Sequence, residues 1–175
     1  IARTFYSAGL IHVAEKGFAA IINTPVTDAT VPFQLSALSC LSKIHQKYSS
    51  MELRKELLNP LVQINHILKK STLEPSIYQP ILWETALYLS LDGITDGIAD
   101  RGEVKSILKD SGPFEELSMA FIFANKNQFK ESLNYLNRFL SRESYPPIFK
   151  AYLDRALILQ ARENYSIGEY SQAIH

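Results

Sequence analysis

The sequence predicts an all-α protein built from antiparallel helix pairs. Apolar residues recur every three to four positions through most of the chain, which is the period of a helix face, and the strict alternation of a half-buried strand is scarce. The connections between these segments carry prolines, glycines and capping residues at the places where helices start and stop.

The bulk numbers fit this class. At 175 residues the chain suffices for one continuous domain with a substantial core. A hydrophobic fraction of 46% with only 7 Gly and 8 Pro excludes disordered and fibrous classes. Lys and Arg number 18 and so do Asp and Glu, so no basic field exists to neutralise phosphates, and nucleic acid is not an expected partner. The single cysteine, Cys40, has no internal disulfide partner and sits in the apolar run "QLSALSCLSKI", which makes it a buried structural thiol. No apolar run approaches the ~18 residues needed to span a bilayer, and no signal peptide is visible.

A first helix is expected from about Ala2 to Ile22, followed by a connection through "TPVTDATVP". A second carries the stripe Phe33, Ala37, Leu41, Ile44 and Tyr48. Ser49 and Glu52 stand at capping-box spacing and open a third, with Leu53, Leu57, Leu61, Ile64 and Leu68 on one face. Pro60 predicts a kink or break near Asn59, because an interior proline removes a ladder bond and clashes with the preceding turn. A fourth helix presents Tyr78, Leu82, Ala86 and Leu89, with Trp83 and Tyr88 on adjacent faces.

After a loop, a short helix from Glu103 reaches Lys109. At "KDSGPFEE" Ser111 is a candidate cap, Pro113 suits a first turn, and Glu115 and Glu116 complement the helix dipole. A helix from about Pro113 to Ala124 turns at "NKNQ", and the next returns through Phe129, Leu133, Leu136 and Phe139. "SRESYPP" then leads to a long helix through Leu153, Ala156 and Leu159. Ser166 and Glu169 form a capping box for a last one.

This last region is internally similar. "NQFKES" (127–132) and "GEYSQA" (168–173) each place a small or polar turn residue, an aromatic two positions on and a small residue three further. The pattern resembles the tetratricopeptide repeat (TPR). The resemblance implies a TPR-like right-handed solenoid in which Ala120 meets Ser132, and Ala161 meets Ala173, at close helix approaches. The two units are 41 residues apart against the usual ~34, the early Trp-Leu-Gly is missing, and residues 1–110 match only in helical-pair rhythm. The chain is thus one TPR-like domain with its clearest units in 111–175, the last of them half a repeat; its uncovered apolar face predicts further residues or a covering partner.

A weaker likeness, over "SGPFEELSMAFIFANKNQFKESLNYLNRFLSRESYPPIFKAYLDRALIL", is to the bacterial TPR-like domains related to the ancillary subunit of the Sec translocon. That likeness implies a transmembrane helix upstream of Ile1, membrane contact through that anchor alone, and a domain outside the bacterial cytoplasm that meets chaperones and emerging chains.

In TPR proteins the first helix of each pair lines the concave face. Carried onto this sequence, Phe114, Leu117, Phe121 and Asn125 would line it from one unit and Arg155, Ile158, Arg162 and Tyr165 from the next. The competing reading of Phe114, Leu117 and Phe121 is ordinary core. Arg155 and Arg162, two helical turns apart, suit bidentate capture of a carboxylate. The implied partner is a protein or peptide segment.

Other chemistry is sparse. "DGITDGIADRGE" places Asp92, Asp96, Gly97, Asp100 and Glu103 at positions 1, 5, 6, 9 and 12 of an EF-hand loop. Ile94 supplies no ligand at position 3, so a turn between helices is the favoured reading and a calcium-responsive module the rival. His12 and Glu15 lie one turn apart, while His45 and His66 are isolated. There is no Gly-rich phosphate loop, no Gly-x-Ser-x-Gly elbow and no two-His zinc spacing. A non-enzymatic interaction scaffold without a cofactor is therefore expected; the remaining rival is a helical regulatory domain of a larger enzyme.

Overall fold

The computed structural model describes residues 1–48, 56–91 and 102–173. Among the described residues all regular structure is helical. The chain forms two compact units, Ile1–Ile107 and Leu108–His175.

In the first unit the expected single helix over 2–22 is two, α1 (Ala2–Ser7) and α2 (Ile11–Ile22). Apolar periodicity runs through both, but Gly9 adopts φ +77°. Its N–H bonds the Tyr6 carbonyl at 3.1 Å and the Leu10 N–H bonds that of Phe5 at 2.9 Å, the Schellman closure of a helix end. The next connection is organised by Gln34. Its fully buried side chain donates to the Thr24 carbonyl at 2.6 Å, and the Thr30 hydroxyl donates to that of Pro25 at 2.8 Å.

Helix α3 (Val31–Tyr48) is the centre of this unit and packs on α2, on α4 (Leu58–Leu68) and on α5 (Pro75–Ser90). Because it is covered from several sides, its buried residues spread around it: Val31, Leu35, Leu38, Leu41 and Ile44 are inside. Phe33, placed on the apolar stripe by its spacing, is 69% exposed, and Cys40 is half-buried rather than buried. Helix α2 runs antiparallel to α3, since Gln34 near the start of α3 bonds the end of α2 while His45 near its end reaches Glu15 near the start of α2.

Helix α4 begins at Leu58 and so carries Pro60 in its first turn, where a missing N–H leaves no ladder bond unmade. Leu58, Leu61, Ile64 and Leu68 face inward. The expected helix start at Ser49 and Glu52 lies outside the described residues. Helix α5 contains an interior proline, Pro80, yet stays helical from Pro75 to Ser90. Lys43 of α3 pairs with Glu84 of α5 at 2.6 Å and lies 5.2 Å from the centre of the Tyr88 ring. Helix α6 (Gly102–Leu108) ends this part of the chain.

The second unit holds α7 (Pro113–Asn125), α8 (Phe129–Leu140), α9 (Lys150–Ser166) and a short α10 (Tyr170–Ala173). Pro113 occupies the first turn of α7, but the cap is Gly112 at φ 63° and not Ser111, whose hydroxyl donates backwards to the Leu108 carbonyl. Between α7 and α8, Asn127 takes φ 57° and its N–H bonds the Ala124 carbonyl at 3.0 Å, with the Gln128 N–H on that of Phe123. Between α9 and α10, Gly168 at φ 84° makes the same closure to Tyr165, and Glu169 to Asn164. The two turns are equivalent in geometry.

The order α7, α8, α9 is antiparallel at each step. Ser132 at the start of α8 bonds Glu163 near the end of α9, while Phe139 at the other end of α8 packs on Phe149 just before α9. Phe114 also meets Phe149, ring centres 4.7 Å apart, so α7 and α9 point the same way. Close approach of α7 and α8 is permitted by Ala120 and Ser132, both fully buried, with the Ser132 oxygen 2.8 Å from the Ala120 carbonyl. Leu117, Leu136, Phe139, Phe149 and Ala156 fill the core between them. Each large side chain so buried contributes about 1.5–3 kcal/mol. Ser166 does not cap a new helix: α9 continues to it, and its hydroxyl donates to the Arg162 carbonyl at 2.9 Å.

Candidate functional site

Helix α9 presents the most distinctive surface of the second unit. Its inward row, Tyr152, Ala156, Leu159 and Glu163, packs on the core and leaves the opposite row to solvent. On that outer side Ile158 is 69% and Tyr165 65% exposed, with Arg162 exposed between them. Arg155, two turns before Arg162, is half-buried, and its guanidinium carbon lies 5.8 Å from the centre of the Phe121 ring of α7. Tyr165 meets Tyr170 of α10 edge to face, ring centres 5.2 Å apart, and Tyr170 is itself exposed.

The eight residues expected to line a concave face therefore divide. Phe114, Leu117 and Phe121 are buried, so their side chains act as packing beneath the surface rather than as contact area. Asn125 is exposed at the end of α7. Ile158, Arg162 and Tyr165 form an open stripe, and Arg155 joins it to α7 through Phe121. Leu157 and Tyr170, 52% and 58% exposed, are additional surface residues that sequence reasoning passed over. The spacing of Leu157 does not distinguish it from a core position, and Tyr170 opens a helix too short to show a face.

Two carboxylates are buried in the second unit. Glu116 of α7 accepts from Arg142 in a two-pronged pair, Nε to Oε2 at 2.6 Å and Nη2 to Oε1 at 2.9 Å. That bond holds the Arg142 guanidinium above its usual range, and burial pushes the Tyr145 phenol up while the Arg142 charge opposes. Glu163 has no such partner. It is fully buried, its Oε1 lies 2.9 Å from the Ser132 hydroxyl, and its Oε2 has no protein partner among the described residues. Burial pushes its carboxyl up to about 7, against the pull of the Ser132 hydrogen bond and the nearby Arg162 charge. A glutamate in register with Ala156 and Leu159 was the available signal for this.

In the first unit His45 is not isolated: its Nε2 is 2.7 Å from Glu15 Oε1, and His12 Nδ1 is 3.6 Å from Oε2 of the same carboxylate. Among the described residues no group of three or more His, Cys, Asp or Glu side chains could hold a metal ion. Asp92, Asp96 and Asp100 of the calcium-like loop lie outside the described residues, and of that loop only the helix beginning at Gly102, which includes Glu103, is described. Among the described residues no helix is long and apolar enough to cross a membrane. An open apolar cavity of about 550 Å³ in this unit is lined by Ile1, Phe18, Ile21, Phe33 and Ile81 among others.

Comparison with known proteins adds no relative: no protein-family profile, curated protein or solved structure matches the chain.

Chemically, the α9 stripe offers aromatic area that costs little entropy to fix, an aliphatic contact, and a guanidinium fork in reach of both. Such a set has the chemistry to contact carboxylate and aromatic groups. It contains no nucleophile and base in hydrogen-bond reach of one another.

Proposed function

We propose that the protein is a non-enzymatic interaction scaffold, a TPR-like array of helix pairs that holds an extended acidic segment of a partner protein against α9. The observation that carries this reading is the open stripe Ile158, Arg162 and Tyr165, in which a cation stands between two exposed apolar side chains. Interfaces are anchored by such aromatic and arginine residues, with aliphatic area excluding water around them. The shared direction of α7 and α9, the antiparallel α8 between them, the Ala120–Ser132 approach and the equivalent turns at Asn127 and Gly168 all favour a repeat of the TPR kind. On this reading Asn125 and Arg155 border the bound segment, and Phe114, Leu117 and Phe121 support it from below. The setting outside the bacterial cytoplasm rests on the likeness across residues 111–159 alone.

Backbone amide spectra recorded while short Glu- and Asp-containing peptides with one aromatic residue are added test the proposal. Shifts concentrated on residues 155–170 support it. Shifts absent, or spread over both units without preference, reject it.

A further inference from the structure

The Ser132 hydroxyl lies between two acceptors from two other helices, 2.8 Å from the Ala120 carbonyl of α7 and 2.9 Å from Glu163 Oε1 of α9. A hydroxyl carries one proton and cannot donate to both. If Glu163 is a carboxylate, one of these contacts is acceptor against acceptor, and a full charge lies in a site without solvent access. If Glu163 is the neutral acid, both contacts are satisfied: its O–H donates to the Ser132 oxygen, and Ser132 donates to the Ala120 carbonyl. We propose that Glu163, Ser132 and Ala120 form a proton-operated clasp, closed when Glu163 holds its proton and weakened when that proton is released to solvent, which joins α9 to α8 and α7.

The surroundings favour the neutral form. Arg162, the neighbour on α9, is the one charged group acting on Glu163 among the described residues, and its guanidinium is exposed, so water screens it. From α8 the facing group is Ser132, while Lys130 and Glu131 lie on the exposed side of that helix. From α7 it is the Ala120 carbonyl. Asn164, the other buried polar residue of this turn, directs its amide to the Gln172 carbonyl of α10 at 3.4 Å. Burial of the carboxyl thus outweighs the two opposing influences.

The sign of the pH effect follows. A carboxyl raised in the folded protein above its value in the unfolded chain binds more protons when folded, so the stability it contributes is complete below the unfolded value and is lost as pH rises through the folded one. With 4.5 as the ordinary value and about 7 in the fold, the folding equilibrium constant should fall on the order of a hundredfold between pH 4.5 and 7.5 from this group.

The test is urea denaturation of the 175-residue chain and of Glu163→Gln at intervals from pH 5 to pH 9. The wild type should lose stability across pH 5–7.5. The variant, whose amide donates to Ser132 at every pH, should lack that component of the slope, whereas identical slopes overturn the proposal. Carbon-13 detection of the glutamate side-chain carboxyls in the wild type gives an independent reading that needs no variant. One carboxyl with a midpoint near neutrality is expected. A chain whose glutamates all titrate in the ordinary range overturns it.

Discussion

Arg142 and Glu116 form a two-pronged charged contact in the second unit, with the planar guanidinium on both carboxylate oxygens at 2.6 and 2.9 Å. The carboxylate is buried and the arginine, at 35% exposed, partly screened, so the pair fastens the end of α8 to the first turn of α7 without exposing Glu116. Removing the arginine alone strands a buried charge. Arg142→Ala should therefore cost roughly 1–3 kcal/mol, discounted for the partly solvated guanidinium. Arg142→Ala combined with Glu116→Gln should cost less than the sum of the two single variants, as a double-mutant cycle in urea will show.

The turns at Asn127 and Gly168 predict opposite responses to similar changes. Both residues are left-handed, at φ 57° and 84°. Asn127→Gly should leave stability within about 0.5 kcal/mol or raise it, while Asn127→Val and Gly168→Ala should each lower it by about 1–2 kcal/mol. Thermal denaturation of the three variants measures this.

Phe149 is fully buried and packs against Phe114 and Phe139, with ring centres 4.7 and 5.5 Å away. Truncation leaves a cavity that three helices cannot easily close. Phe149→Ala should cost about 3–5 kcal/mol, whereas Leu157→Ala, at a 52% exposed position, should stay within about 0.5 kcal/mol. Comparable losses at both sites would contradict the packing described for α9.

In the first unit, Gln34 supplies the donor that the Thr24 carbonyl uses inside the connection between α2 and α3. Replacing it with Leu keeps the volume and removes the hydrogen bonds. Gln34→Leu should lower stability by about 1–3 kcal/mol, seen as an earlier urea midpoint with an unchanged slope.

Helix class and most helix positions were legible because the apolar period is strong wherever one face is buried, as along Leu57, Leu61, Ile64 and Leu68. Legibility failed where a single residue or a tertiary surrounding decides. The break at Gly9 lies inside an unbroken apolar pattern, and only its positive φ ends the helix. Phe33 keeps the spacing of a core residue but points outward, because α3 is buried on several sides and its stripe no longer defines one direction. Ser166 and Glu169 match a capping box in spacing, yet the left-handed Gly168 falls between them and α9 continues through Ser166.

For the candidate surface, Arg162, Ile158 and Tyr165 were named from the TPR resemblance, and all three are exposed on α9. Phe114, Leu117 and Phe121 were not separable in the same way, since apolar residues three and four apart describe a groove and a core equally. Glu163 shows the reverse case: a charged residue on the inward row of α9, whose meaning depends on Ser132, thirty-one positions away in sequence.

The central claim, that the stripe on α9 grips an acidic segment, is tested most directly by selecting displayed random peptides on the intact chain and on Arg162→Ala/Tyr165→Ala. Both substitutions fall at exposed positions and should leave the fold stable. The account predicts enriched peptides in which an acidic residue neighbours an apolar or aromatic one, lost from the double variant by tenfold or more in affinity, about 1.4 kcal/mol. Peptides enriched without acidic residues, or retained equally by both chains, would contradict it.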